Sequence, residues 1–108
     1  MNDKITVYKV IIAPTANDRM ADYFLFLAGV SENAANKLIE HLIADIESLQ
    51  IMPFRNPVYD RPYVPSLKYR YMLSNKRYRI IYQIIDDTVF VDDIQDSRQN
   101  NNEYFSCT

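Results

Sequence analysis

Guanidinium groups are the most chemically suggestive feature of this sequence. Arg55, Arg61, Lys68, Arg70, Lys76, Arg77 and Arg79 fall within 25 positions and are opposed there by Asp60 alone, although the 108-residue chain carries a net charge of −2. A cationic stretch inside an otherwise acidic chain is a local signal for an anionic ligand. Guanidinium suits phosphate in particular, because it stays charged and offers paired N–H donors that match the phosphoryl oxygens. The spacing sharpens the reading. Leu67, Tyr69, Tyr71 and Leu73 alternate with Lys68, Arg70 and Met72, and Tyr78, Ile80, Tyr82 and Ile84 alternate with Arg79, Ile81, Gln83 and Ile85. On strands of period two, a Leu/Tyr row turned toward helices sends Lys68, Arg70 and Arg79 to the face that the helices leave open.

Scarcity removes several other chemistries. Gly29 is the only glycine, so neither a Rossmann fingerprint nor a P-loop can be built. One histidine (His41) and one cysteine (Cys107) cannot make a His/Cys zinc site of ordinary spacing. Asp86, Asp87, Asp92, Asp93 and Asp96 crowd together, but acids around a hairpin are more often solvated than metal-binding, and no metal or cofactor is expected. A lone cysteine forms no intrachain disulfide, which fits a reducing compartment. No apolar run approaches the ~18 residues of a membrane span, and Lys9 interrupts the first apolar stretch before it resembles an export signal. A cytoplasmic address without membrane association is therefore expected.

The elements that must position the basic residues follow from periodicity. Residues 5–12 are β-branched and aromatic up to Pro14 and read as a strand. Met20, Tyr23, Phe24 and Leu27 then recur at helical spacing, with Asp18, Arg19 and Asp22 on the other side. Gly29 suits a C-cap through its tolerance of positive φ. Ser31 offers an N-cap to a second helix, whose apolar stripe Ala35, Leu38, Ile39, Leu42, Ile46 and Leu49 runs to about Gln50. With only Gly29 and Val30 between them, the helices should form an antiparallel hairpin. Pro53, Pro57, Pro62 and Pro65 make 51–66 an extended connector, anchored by Phe54, Tyr59, Tyr63 and Val64. The three strand patterns after it, joined by Ser74-Asn75-Lys76 and Asp86-Asp87, form a meander. The expected architecture is α+β in the order β-α-α-β-β-β, one domain over 1–108 with 99–108 as a tail that need not be ordered.

From about Val7 to Tyr104 the chain resembles the RelE/ParE superfamily of toxins from bacterial type II toxin–antitoxin systems. The resemblance is carried by the helical hairpin, the connector, and the blocks Leu67-Lys68-Tyr69-Arg70-Tyr71-Met72-Leu73 and Tyr78-Arg79-Ile80-Ile81-Tyr82. It implies a growth-arresting toxin, associated with plasmid stabilisation and neutralised by a cognate antitoxin protein. RelE-like members are metal-independent endonucleases that cut mRNA on the ribosome; ParE-like members inhibit DNA gyrase without enzymatic activity. The nuclease pattern places Arg70, Arg79, Arg98 and Tyr104 as catalytic residues, with Lys68 and Arg77 as RNA contacts. In that scheme arginines would stabilise the phosphoryl oxygens during attack by a ribose 2′-hydroxyl, and Tyr104 would be the base if cations lowered its pKa from ~10. Two positions depart from the pattern: Met72 stands where a second basic residue is expected, and Asp96 where a histidine is common. The sequence leans toward the nuclease; gyrase inhibition, favoured by the acidic net charge, Met72 and Asp96, is the alternative, and a relic that only binds an antitoxin-like partner is a third reading.

Overall fold

The computed structural model describes residues 5–65 and 67–98. The chain forms strand β1 (Lys9–Ile12), helices α1 (Pro14–Ala28) and α2 (Glu32–Glu47), and strands β2 (Arg70–Ser74), β3 (Tyr78–Ile85) and β4 (Thr88–Asp96), with 3-10 turns at Ser48–Gln50 and Pro53–Arg55. This is the α+β order expected from the sequence. The sheet order is β1-β4-β3-β2. The meander β2-β3-β4 is antiparallel, whereas β1 pairs parallel to β4, in register from Lys9 opposite Thr88 to Ile12 opposite Val91. The helical hairpin, the connector and strands β2 and β3 together supply the long connection that parallel pairing of β1 with β4 requires. The first strand is shorter than the apolar run 5–12, because Tyr8 donates its N–H to the Gln50 carbonyl and Val7 bridges to Ile51 instead.

Both helices lie on one face of the sheet. Ala16 and Met20 of α1, Leu38, Leu42 and Ile46 of α2, and Tyr78, Ile80, Tyr82, Val89, Val91 and Ile94 of the sheet form the main core. Full burial of side chains such as Leu42 and Ile46 contributes about 1.5–3 kcal/mol each. Ser31 caps α2 as expected: its hydroxyl accepts from the Ala34 N–H at 3.2 Å. Gly29 departs from expectation. It sits at the C-cap of α1 with φ −63°, an ordinary right-handed conformation, so the hairpin closes without a left-handed residue. The left-handed positions lie elsewhere: at Asn75 and Lys76 between β2 and β3, at Asp86 between β3 and β4, and in the connector at Met52 and Leu67.

The sheet face opposite the helices is partly covered. The connector folds back along β2, with the Tyr59 N–H donating to the Tyr69 carbonyl and the Tyr71 N–H to that of Pro57. Tyr59, Val64 and Tyr69 bury against Ile81 and Tyr71 in a second, smaller core. Of the four expected anchors of the connector, Tyr59 and Val64 are buried, while Phe54 and Tyr63 are exposed. Among the described residues no helix is long and apolar enough to cross a membrane.

Candidate functional site

The cationic residues expected to share one face are divided between two. On β3 the alternation holds: Tyr78, Ile80, Tyr82 and Ile84 face the helices, Ile81 faces away, and Arg79 falls on the same side as Ile81. On β2 the alternation is inverted. Met72 packs into the helix-side core and the Ser74 hydroxyl donates to the Asp45 carboxylate of α2, whereas Tyr69 and Tyr71 join the opposite cluster. Register agrees, since Arg70 stands opposite Tyr82, a helix-facing residue. Arg70 and Arg79 therefore lie on opposite faces of the sheet. The physical cause is the connector. It offers Tyr69 and Tyr71 an apolar partner on the face read as open, and a turn at Leu67, with φ 65°, delays the strand until Arg70. Where both faces are buried, alternation tells which residues share a face but not which face that is.

Each guanidinium then has its own environment. Arg70 donates to the carbonyls of Asn56 at 2.6 Å and Phe54 at 3.3 Å, and lies over the Phe54 ring at 5.2 Å. It fastens the start of the connector. Arg79 is partly exposed, flanked in register by Leu73 and Gln95. Gln95 in turn accepts from the Tyr59 hydroxyl at 3.1 Å. Arg77 is committed to Asp96: its Nε donates to both carboxylate oxygens at 3.2 Å and its Nη2 to Oδ2 at 2.8 Å. Arg98, exposed at the end of β4, donates its backbone N–H to Asp96 Oδ1 at 3.0 Å. Lys68 lies in a turn with its ammonium 5.3 Å from the Tyr69 ring. Tyr104 lies outside the described residues.

Asp96 organises this end of the sheet. Burial alone would raise its carboxyl pKa, but the hydrogen bonds from Arg77 and from the Arg98 N–H prevail and hold it below the ordinary value of 3.8. Beside it the Tyr23 hydroxyl donates to the Ile94 carbonyl at 3.0 Å and accepts from the Asp96 N–H at 3.1 Å. A second ion pair lies deeper, where Arg19 Nε meets the fully buried Asp93 at 3.4 Å. The Arg77–Asp96 pair depends on a break in the strand register. Ile81 stands opposite Asp93 but Tyr82 opposite Val91, so Asp92 is the extra residue of a bulge. Val89 and Val91 before it, and Ile94 and Asp96 after it, all turn toward the helices. Sequence reasoning put Arg19 on the solvent side of its helix and Tyr23 in a purely apolar stripe. The signal for both was Asp92-Asp93 inside an otherwise apolar strand, because a buried carboxylate demands a counter-ion. The remaining acids do not converge: Asp92 accepts from the Gln83 amide, and among the described residues no three His, Cys, Asp or Glu side chains gather as a metal site would require.

A cavity of about 440 Å³ lies between α1 and this network, bounded by Arg19, Phe26, Arg77, Tyr78 and Arg98. Its charges are largely neutralised by Asp22, Asp93 and Asp96, so it is no strong anion trap. On this scaffold Arg70 and Arg79 stand apart, while Arg19, Arg77 and Arg98 gather at one cavity whose carboxylates match them.

Comparison with known proteins bears on what that scaffold is. The family profile described as the ParE toxin of the type II toxin–antitoxin system, parDE, matches residues 10–101. The chain belongs to this ParE toxin family. A solved structure described as the chromosomal ParDE TA system from P. aeruginosa shares the ParE fold, with a TM-score of 0.68 over 84% of this chain and 97% of that chain, at 12% sequence identity. No curated protein is significantly similar in sequence. This ParE-family chain is thus a toxin of a type II system, whose partner is an antitoxin.

Proposed function

We propose that this ParE-family toxin inhibits DNA gyrase by binding it, without an enzymatic step, in the cytoplasm where gyrase works. The observation that carries the reading is the separation of Arg70 from Arg79. In-line attack on a phosphodiester needs cationic donors converging on one phosphoryl group, with a base and an acid within hydrogen-bond reach. Here Arg70 is tied to two carbonyls on one side of the sheet, Arg77 is neutralised by Asp96, and Arg79 stands on the other side beside Gln95. Asp96, at the position where the nuclease pattern commonly has a histidine, is held ionised by its partners and offers no proton near neutral pH. The family description supports the same choice.

The test is inducible expression with transcript integrity and DNA supercoiling measured separately. Loss of supercoiling with intact transcripts is expected, and purified toxin should inhibit gyrase directly. Cleaved transcripts with normal supercoiling would instead support the nuclease reading of Arg70, Arg79, Arg98 and Tyr104. In that event Arg79→Ala should slow cleavage by about 10²–10³, the usual loss of one transition-state donor.

A further inference from the structure

An exposed apolar surface lies where the N-terminal segment meets the 3-10 turn Pro53–Arg55. Ile5, Thr6, Tyr8, Met52, Phe54 and Arg55 line an open groove of about 520 Å³ there. Its apolar walls face solvent: Ile5 is 64% exposed, Met52 63% and Phe54 56%. Contiguous exposure of large apolar side chains, rimmed by polar groups, is the usual mark of an interaction site.

Two independent features say what fits it. The first is charge. Arg55 donates only to the carbonyls of Ile51 and Met52 and to the Ser48 hydroxyl, and Arg70, behind the Phe54 ring, only to carbonyls. Neither meets a carboxylate among the described residues, where the ion pairs are Arg19–Asp93 and Arg77–Asp96. Two guanidinium charges thus remain uncompensated beside an apolar groove, while the rest of the chain is acidic. The second is backbone strain. Met52 adopts φ 51° and ψ 54°, a left-handed conformation unfavourable for an unbranched apolar residue, and does so while holding its side chain in solvent. Nothing in the fold's own packing rewards that side chain.

We infer that this groove receives an acidic, apolar-anchored segment of the cognate antitoxin, with Met52 and Phe54 as the apolar contacts and Arg55 facing an antitoxin carboxylate. The antitoxin is the occupant because it is the partner that ParE family membership itself supplies; the inference does not depend on gyrase being the target. It also differs from docking on the outer faces of the helical hairpin, the site that amphipathic helices alone would suggest.

The experiment measures dissociation constants of the purified toxin with its purified antitoxin, together with thermal unfolding midpoints of each toxin variant. Met52→Asn places a residue that tolerates the left-handed region where the strained Met stands. Its midpoint should be unchanged or higher, while the complex weakens about tenfold through loss of the apolar anchor. Arg55→Glu should weaken the complex by about 10²-fold by opposing like charges, and Arg55→Lys should stay within about threefold of the wild type. Phe26→Asp, on the exposed tip of α1 away from the groove, should leave affinity unchanged. Antitoxin that binds wild type and both Met52→Asn and Arg55→Glu equally well would overturn the placement while leaving the toxin assignment intact. Loss of binding in Phe26→Asp with retention in Met52→Asn would move the interface to the hairpin.

Discussion

At the scale of single residues, the arginines of this toxin divide into structural and free ones, and stability measurements should separate them. Arg19 is the counter-ion of a carboxylate with no exposure to solvent. Arg19→Ala should therefore destabilise by about 3 kcal/mol, the range for stripping one partner from a buried pair, with Arg19→Lys intermediate. Arg70→Ala removes the donor that holds the Phe54 and Asn56 carbonyls and should cost about 1–2 kcal/mol. Arg79 makes no comparable contact, and Arg79→Ala should lie within about 0.5 kcal/mol of the wild type. Urea unfolding monitored by tyrosine fluorescence gives all four values. A large loss for Arg79→Ala would mean that it, too, is a structural residue.

Among the elements, the helical hairpin rests on its caps and its turn. The Ser31 hydroxyl satisfies one of the free N–H groups at the start of α2, so Ser31→Ala should cost about 1 kcal/mol. Gly29 has φ −63°, and an added Cβ would meet its nearest neighbour, the Phe26 carbonyl oxygen, at an ordinary 3.4 Å. Gly29→Ala should thus stabilise the fold by about 0.4–1 kcal/mol by restricting the unfolded chain. A loss of stability would show that the hairpin visits a left-handed turn after all. The strands behave differently. The period of β2 was plain in the sequence, but its orientation was not, because Tyr69 and Tyr71 suit either face and a connector with four prolines carries no periodic signal of where it folds. Without that orientation Lys68, Arg70 and Arg79 looked like one patch.

For the whole molecule, buried ionisable groups set the pH range of stability. Burial raises the pKa values of Tyr23, Tyr78 and Tyr82 above the ordinary 10.0, and nearby hydrogen bonds and cations offset it only in part. These phenols keep their protons more firmly folded than unfolded. Their contribution is complete below about pH 10 and is lost as the pH rises through the folded values. Asp96 acts in the opposite sense: with its folded pKa below 3.8, its contribution is present above that value and disappears as the pH falls through the folded one. Thermal midpoints should therefore hold through neutrality, fall on the alkaline side above about pH 10, and fall again below about pH 4. Asp96→Asn should remove part of the acid limb only. An unchanged acid limb in that variant would assign acid unfolding to other carboxylates.

By itself the sequence determined the order of elements, the amphipathic hairpin with its Ser31 cap, the meander with its polar turns, and membership of the toxin superfamily. All of these depend on local chemistry: side-chain period, capping hydroxyls, proline and turn residues close to where they act. Only the tertiary structure decided that β1 runs parallel to β4, that the connector covers part of the far face of the sheet, that Asp93 is buried against Arg19, and that Asp92 bulges so that Asp96 turns to the side of Tyr78. It also decided that Arg70 and Arg79 stand apart. Those outcomes depend on which distant surfaces meet, and a two-residue period reads the same from either side of a sheet.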